Sequence, residues 1–140
     1  MLIVKDLSIQ RLEKIIFENI NLSLSPRNIT ILKGRNGSGK TTLLKAILNI
    51  IEPSFGSIYW KGKLLKKNLY DFYNHVTYIP DTTTSLKKLT ITDNINIWKK
   101  FFISDINNVQ IETVLKTLKL DNNLNKKVGT LSFGETKKLE

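Results

Sequence analysis

Alternating apolar and polar residues mark the first 24 positions of the chain as strand-forming. Residues 2–10 and 15–24 both show a partial two-residue period, and the polar segment 11–14 separates them. This period places alternate side chains on opposite faces of a sheet, so it predicts two strands joined by a turn. Residues 29–32, 57–60 and 75–79 are predicted as further strands. Pro80 ends the last of these because proline has no backbone N–H for the ladder.

Helical spacing appears later in the chain. The pattern predicts helices over about residues 40–51 and 67–73, and a third over 92–102 with Thr92 as its N-cap. A fourth helix carries Ile111, Val114, Leu115 and Leu118 on one face. Ser132 and Glu135 have the S-x-x-E spacing of a capping box, which predicts a fifth helix. The apolar positions of the third helix are Ile95, Ile97, Trp98, Phe101 and Phe102.

Composition limits the classes of function. With 140 residues the chain is predicted to be one domain or part of one. It has no cysteine, which excludes disulfides and thiolate metal sites. The net charge of +10 is spread along the chain without interleaved aromatic residues, so base composition of the gene explains it better than nucleic-acid binding. The longest apolar region, residues 43–51, is too short to cross a bilayer.

One segment fits the phosphate-binding pattern G-x-x-x-x-G-K-[ST]. Glycines let successive backbone N–H groups point at one anion, and the positive end of the following helix faces the same anion. Lys40 is predicted to reach the β- and γ-phosphates of a nucleotide, the Thr41 hydroxyl to hold Mg²⁺, and Thr42 to begin the helix interior. An ordinary glycine-rich turn is the less favoured alternative. The predicted loop is Gly34, Arg35, Asn36, Gly37, Ser38, Gly39, Lys40 and Thr41.

Three features together resemble an ATP-binding cassette (ABC) ATPase. They are the phosphate loop, the aromatic-plus-proline strand end at Tyr78–Pro80, and an L-S-x-G-[QE] signature at residues 131–135. The resemblance implies an α/β P-loop NTPase fold, with a core and N-terminal antiparallel strands in residues 1–85 and a helical subdomain in residues 86–140. In this family the Walker B aspartate, catalytic glutamate and switch histidine follow the signature. We therefore expect no catalytic residue within these 140 residues and the C-terminal part of the fold to be missing.

The resemblance assigns the signature to nucleotide binding in trans. In the family, two ATP-binding subunits meet head to tail, and each signature closes over the ATP held by the other subunit. A capping box without ligand contact is the alternative interpretation. The signature residues are Leu131, Ser132, Phe133, Gly134 and Glu135.

Several positions depart from the family pattern, among them Arg27 in place of a turn glycine. Arg11 stands where many members stack an aromatic ring on adenine, and a guanidinium can also stack on a base. Asp81 replaces a glutamine that senses Mg²⁺ and the γ-phosphate, so Thr41 and Asp81 are the expected metal-site residues. Glu135 replaces the commoner glutamine of the signature.

A narrower resemblance, in residues 57–65 and 85–98, is to the ATP-binding subunit of the cytochrome c biogenesis haem exporter. It implies a transmembrane partner that docks on residues 81–102, through Trp98, Phe101 and Phe102 unless these belong to the subdomain core. The protein would be peripheral on the inner face of a membrane, bacterial or organellar, including the matrix face of the mitochondrial inner membrane.

Other classes remain open. They are an unrelated ABC transporter, a soluble ABC-type ATPase of iron–sulfur assembly or DNA maintenance, and a small P-loop kinase. A kinase leaves the signature unexplained, and a DNA-maintenance ATPase requires heptads that residues 81–100 lack.

Overall fold

The computed structural model describes residues 1–101 and 107–140, and its two compact units are Met1–Thr77 and Tyr78–Glu140. The first unit contains a four-stranded antiparallel sheet in the order β2-β1-β3-β4. Its strands are β1 (Leu2–Arg11), β2 (Lys14–Leu24), β3 (Phe55–Trp60) and β4 (Lys63–Leu64). The two N-terminal strands and their tight turn are as predicted.

A bulge explains why the two-residue period of β1 is only partial. In a regular strand Val4 and Leu7 would face opposite sides of the sheet, yet both are buried. The register between β1 and β2 shifts between these two residues. Asp6 lies at the shift with a φ of 50°. Gly56 of β3 is required beside it, because a Cβ there would lie 2.5 Å from the Asp6 carbonyl oxygen. The bulge thus returns the apolar side chains of β1 to the core.

Helix α1 (Lys40–Ile47) covers the core with Leu43 and Ala46, and ends earlier than the predicted position 51. Asn49 has a φ of 56°, its N–H donates to Ala46 O, and the Ile50 N–H donates to Lys45 O. These bonds form a Schellman motif, which satisfies the last carbonyls and stops the helix. Helix α2 (Leu69–Tyr73) also belongs to this unit and buries Phe72.

Two predicted strands are not strands in this structure. Residues 29–32 and 75–79 have no assigned secondary structure, and Ile29, Ile31 and Ile79 are 93%, 71% and 55% exposed. A strand is defined by hydrogen bonds to a neighbour, and within the described residues neither segment forms a ladder. Their apolar composition indicates a tendency to form strands, but pairing depends on a partner.

The second unit is helical, with α3 (Ile91–Phe101), α4 (Asn108–Thr117) and α5 (Phe133–Leu139). Its buried apolar residues are Ile91, Leu115, Leu120 and Val128. On the predicted apolar face of α4, Leu115 is buried but Val114 is 55% exposed.

The N-cap of α3 is Thr90, not the predicted Thr92. The Thr90 hydroxyl accepts from the Asp93 N–H, and the Asp93 carboxylate accepts from the Thr90 N–H and hydroxyl. This T-x-x-D pair is a reciprocal cap that begins two residues earlier. Thr92 instead donates its hydroxyl to Leu124 O.

A buried carboxylate attaches residues 80–85 to the end of α5. Glu140, whose side chain is 3% exposed, accepts from the Thr83 hydroxyl at 2.6 Å and the Ser85 N–H at 2.9 Å. Lys137 pairs with the same carboxylate at 2.7 Å and donates to Pro80 O and Thr82 O. Residues 80–85 therefore pack as part of the second compact unit, which begins at Tyr78, and the domain boundary at 85/86 stays a prediction.

These contacts also determine the ionisation of Glu140. Burial raises its pKa, but hydrogen bonds from Lys137, Thr83 and the Ser85 and Thr84 amides outweigh burial and hold the pKa far below the usual value. A depressed folded-state pKa contributes stability above the unfolded value, near 4.5, and that contribution is lost as pH falls below it.

We predict that Glu140→Gln loosens residues 80–85. Hydrogen bonds to a charged acceptor contribute about 2 kcal/mol, so the Ser85 amide should exchange its hydrogen about 30-fold faster. The parent protein should show constant protection from pH 8 to pH 5 after correction for intrinsic rates. Glu112→Gln, the same change on the exposed face of α4, is the control. Equal protection in the two variants would contradict the assignment.

Candidate functional site

The glycine-rich loop before α1 adopts the backbone that its sequence predicts. Gly37 and Gly39 have φ values of 79° and 88°, in the left-handed region that favours glycine. Gly39 has a second reason to be glycine: a Cβ there would lie 2.8 Å from Ile16 Cγ2. The loop is thus held directly against β2, and a larger residue at 39 would separate the two.

The Lys40 side chain folds back over the loop. Its ammonium donates to Gly34 O and Arg35 O, both at 2.8 Å. These two bonds position the charge at the loop and leave one ammonium proton for another acceptor. Ser38 donates its backbone N–H to Arg35 O, which tightens the same turn.

Helix α1 begins without a side-chain cap. Its N-cap is Gly39, and the first backbone bond runs from the Leu43 N–H to Gly39 O at 2.8 Å. The N–H groups of Lys40, Thr41 and Thr42 have no acceptor within the helix, because its first turn lacks preceding carbonyls. With the positive end of the helix dipole, they form an anion site.

A cavity of about 420 Å³ opens over these groups. Its volume falls within the range of small-molecule sites. Thr41 lines it, so a hydroxyl is available to Mg²⁺, and no carboxylate is among its lining residues in the described part of the chain. Arg11 does not line it, and its contact with a base stays a prediction. The lining comprises Lys14, Ile15, Ile16, Asn36, Gly37, Gly39, Lys40, Thr41 and Thr42.

The β2 residues of this lining are absent from the predicted site. The motif identified the loop, whereas Lys14, Ile15 and Ile16 reach the cavity only because β2 packs on Gly39. Nothing in the local sequence of residues 14–16 distinguishes them from other strand residues.

The signature residues form the predicted capping box at α5. The Ser132 hydroxyl accepts from the Glu135 N–H at 3.2 Å, and the Glu135 carboxylate accepts from the Ser132 N–H at 2.8 Å. The hydrogen bonds from the Ser132 amide and hydroxyl hold the pKa of Glu135 below its usual value. Glu135 therefore places a negative charge at the beginning of α5 at neutral pH.

Asp81 and the aromatic residues lie in the second unit. Asp81 accepts from the Thr82 N–H at 3.0 Å and lines a cavity of about 500 Å³ with Leu131 and Phe133. Thr41 belongs to the first unit, so a metal site shared with Asp81 stays a prediction. Trp98 lines a groove between α3 and α4, Phe101 is 78% exposed, and Phe102 lies outside the described residues. Within the described ranges, no helix has the length and apolar character for crossing a membrane.

Comparison with known proteins identifies the family of the chain. The model of the ABC transporter family matches residues 17–140. The cytochrome c biogenesis ATP-binding export protein CcmA of Reclinomonas americana is 37% identical over 132 residues, which are 92% of this chain and 58% of that relative. CcmA of Vibrio vulnificus (strain YJ016) is 30% identical over 139 residues, covering 99% of this chain and 68% of the relative.

Solved structures of ABC transporter proteins have a similar fold. A putative ABC transporter ATP-binding protein from Pyrococcus furiosus superposes with a TM-score of 0.82 at 27% identity, over 99% of this chain and 66% of that protein. The ATP binding subunit of an ABC transporter superposes with a TM-score of 0.80 at 25% identity, over 99% and 58% of the two chains. The chain thus spans 58% to 68% of the length of these relatives. Together with the phosphate loop and the signature, these matches show that the chain belongs to the ABC transporter family.

Proposed function

We propose that the chain binds ATP at the loop of residues 34–41 and, as part of an ABC transporter, couples ATP to transport by a membrane partner. The observation that carries this proposal is the cavity in which Lys40 and the uncapped beginning of α1 face the same space. Backbone N–H groups and one ammonium are the donors that a phosphate chain requires.

The groups proposed to contact ATP and Mg²⁺ have separate roles. Lys40 binds the β- and γ-phosphates as a point charge, while the N–H groups of Lys40 to Thr42 orient them. The Thr41 hydroxyl holds Mg²⁺, which supplies charge neutralisation to the phosphates. Asp81 is the further metal-site residue that we propose, and Arg11 the base contact that the family pattern assigns.

We assign binding rather than turnover to residues 1–140. Phosphoryl transfer to water requires a positioned group that orients the water, in addition to charge stabilisation. The lining of the cavity supplies backbone N–H groups, the Lys40 ammonium and the Thr41 hydroxyl, which are groups for binding phosphate and Mg²⁺.

The signature residues 131–135 are proposed to contact ATP held by a second ATP-binding subunit in a head-to-tail dimer. The beginning of α5 supports this role, since helix N-termini bind phosphate. Glu135 opposes it, because its ionised carboxylate repels phosphate. The proposal therefore includes a weakening effect of Glu135 on the closed dimer.

The narrower proposal is haem export for cytochrome c biogenesis. It is supported by the relative of 37% identity, which is named a cytochrome c biogenesis ATP-binding export protein. The transmembrane partner would dock on residues 81–102, and the protein would lie at the inner face of a bacterial or organellar membrane. Phe101, at 78% exposure, is a described side chain available for that contact.

We predict that Lys40→Ala weakens ATP binding at least about 30-fold. A charge-assisted bond to phosphate contributes about 2 kcal/mol, and no other lysine is on the loop. Calorimetric titration measures the change. Lys45→Ala, on the same helix but outside the cavity lining, should bind ATP as the parent does. Unchanged affinity in Lys40→Ala, with native circular dichroism, would refute the loop as the ATP site.

We predict that Glu135→Gln strengthens the ATP-bound dimer about threefold or more. Glutamine keeps the oxygen that accepts from the Ser132 N–H, but removes a negative charge from a helix N-terminus that faces phosphate. Analytical ultracentrifugation in ATP measures the dimer constant, with Glu112→Gln as the control for charge alone. A weaker dimer would assign Glu135 to the helix cap only.

We predict that a cell depending on this protein loses haem attachment to its c-type cytochromes when Lys40 is replaced by alanine. Haem staining of membrane proteins after electrophoresis measures the attached haem. Normal staining together with lost ATP binding would overturn haem export, while leaving the ATP site intact.

A further inference from the structure

The wall of the loop cavity that β2 provides carries one positive and two aliphatic side chains. Lys14, Ile15 and Ile16 are the first three residues of this strand, and all three line the cavity. Ile15 is 52% exposed, so an apolar surface is open beside the phosphate loop. An anion site bordered by aliphatic carbon matches a nucleotide, which joins a charged chain to an apolar ring.

The position of this wall is determined by backbone packing. A Cβ on Gly39 would lie 2.8 Å from Ile16 Cγ2 and 3.3 Å from Phe17 Cδ1. Because Gly39 has no side chain, the loop backbone can lie this close to β2, which places the beginning of β2 beside the N-terminus of α1. Lys14 lines the cavity at this point.

Lys14 and Arg11 face each other across the hairpin. They are directly opposite in the register of β1 and β2, and like charges at opposite positions destabilise an antiparallel pair. Among the described residues, neither Lys14 nor Arg11 forms an ion pair, and Glu13 of the turn pairs with neither. An anion in the cavity relieves this repulsion on the Lys14 side only, because Arg11 is not in the lining.

We propose that Lys14 is a second cation for the phosphates of the bound nucleotide and that Ile15 and Ile16 pack against its sugar and base. This inference rests on the proposed ATP site. Lys40 donates two of its ammonium protons to Gly34 O and Arg35 O. Among the described residues, the ammonium of Lys14 has no hydrogen-bond acceptor. Lys14 then adds charge recognition that is the same for every nucleoside triphosphate.

The aliphatic wall determines the selectivity. Ile15 and Ile16 present no donor or acceptor from their side chains, so they contact any base by packing alone. The site should therefore distinguish nucleotides by the number of phosphates more strongly than by the base. In this arrangement Lys14 is the hairpin cation that contacts the phosphates, whereas the contact proposed for Arg11 is with the base.

The test compares Lys14→Met with Lys63→Met, which removes an exposed lysine from β4 of the same sheet. Methionine keeps an unbranched side chain and removes the charge. We expect Lys14→Met to weaken ATP and GTP binding by the same factor, about fivefold or more, and Lys63→Met to change neither. Lys14→Arg keeps the positive charge and should bind ATP within about twofold of the parent. This variant separates an effect of the charge from an effect on folding.

The outcomes separate this inference from the proposed function. If the parent does not bind ATP, or Lys40→Ala binds it normally, the ATP site itself is wrong. If Lys40→Ala loses binding while Lys14→Met retains it, only the role of Lys14 is refuted. A loss in Lys14→Met for ATP but not for GTP would also overturn the assignment.

Discussion

The close contact between Gly39 and β2 is the constraint on which the candidate site depends. With no side chain at 39, the loop backbone lies directly on Ile16 and Phe17. The same residue has a positive φ and serves as the N-cap of α1, so one position turns the chain, sets the direction of the helix and completes the cavity. The β-hairpin therefore acts as a platform that determines where the helix N-terminus points.

The N-termini of α1 and α5 differ in their electrostatics. At α1, Gly39 supplies no capping oxygen, and the first N–H groups and Lys40 leave positive charge uncompensated. At α5, the Ser132–Glu135 box already satisfies the cap with an ionised carboxylate. The N-terminus of α1 therefore attracts an anion. At the N-terminus of α5, the negative charge of Glu135 opposes anion binding. This difference makes the loop the more favourable of the two candidate anion sites.

In the second unit, a single carboxylate organises an irregular segment. Residues 80–85 have no regular secondary structure, and their backbone and hydroxyl donors converge on Glu140 with Lys137 as its counter-ion. A buried charge is stable only when it is paired and fully hydrogen-bonded, as Glu140 is. The segment with Asp81 is consequently coupled to the helix that begins at the signature, within one unit.

The sequence alone determined the elements whose causes are local. The phosphate loop, the first two strands and the capping box at Ser132 follow from glycine spacing, side-chain alternation and the S-x-x-E relation, each of which acts within a few residues. The local pattern predicted the wrong helix boundary at two places where a nearby residue forms a competing cap. Asn49 ends α1 earlier than predicted, and Thr90 rather than Thr92 caps α3. Only the tertiary structure decided that Lys14 to Ile16 line the cavity, that Glu140 holds residues 80–85, and that residues 29–32 and 75–79 remain outside a ladder. These outcomes depend on which distant groups meet, since packing against Gly39, burial of a carboxylate and strand pairing all require a partner far along the chain.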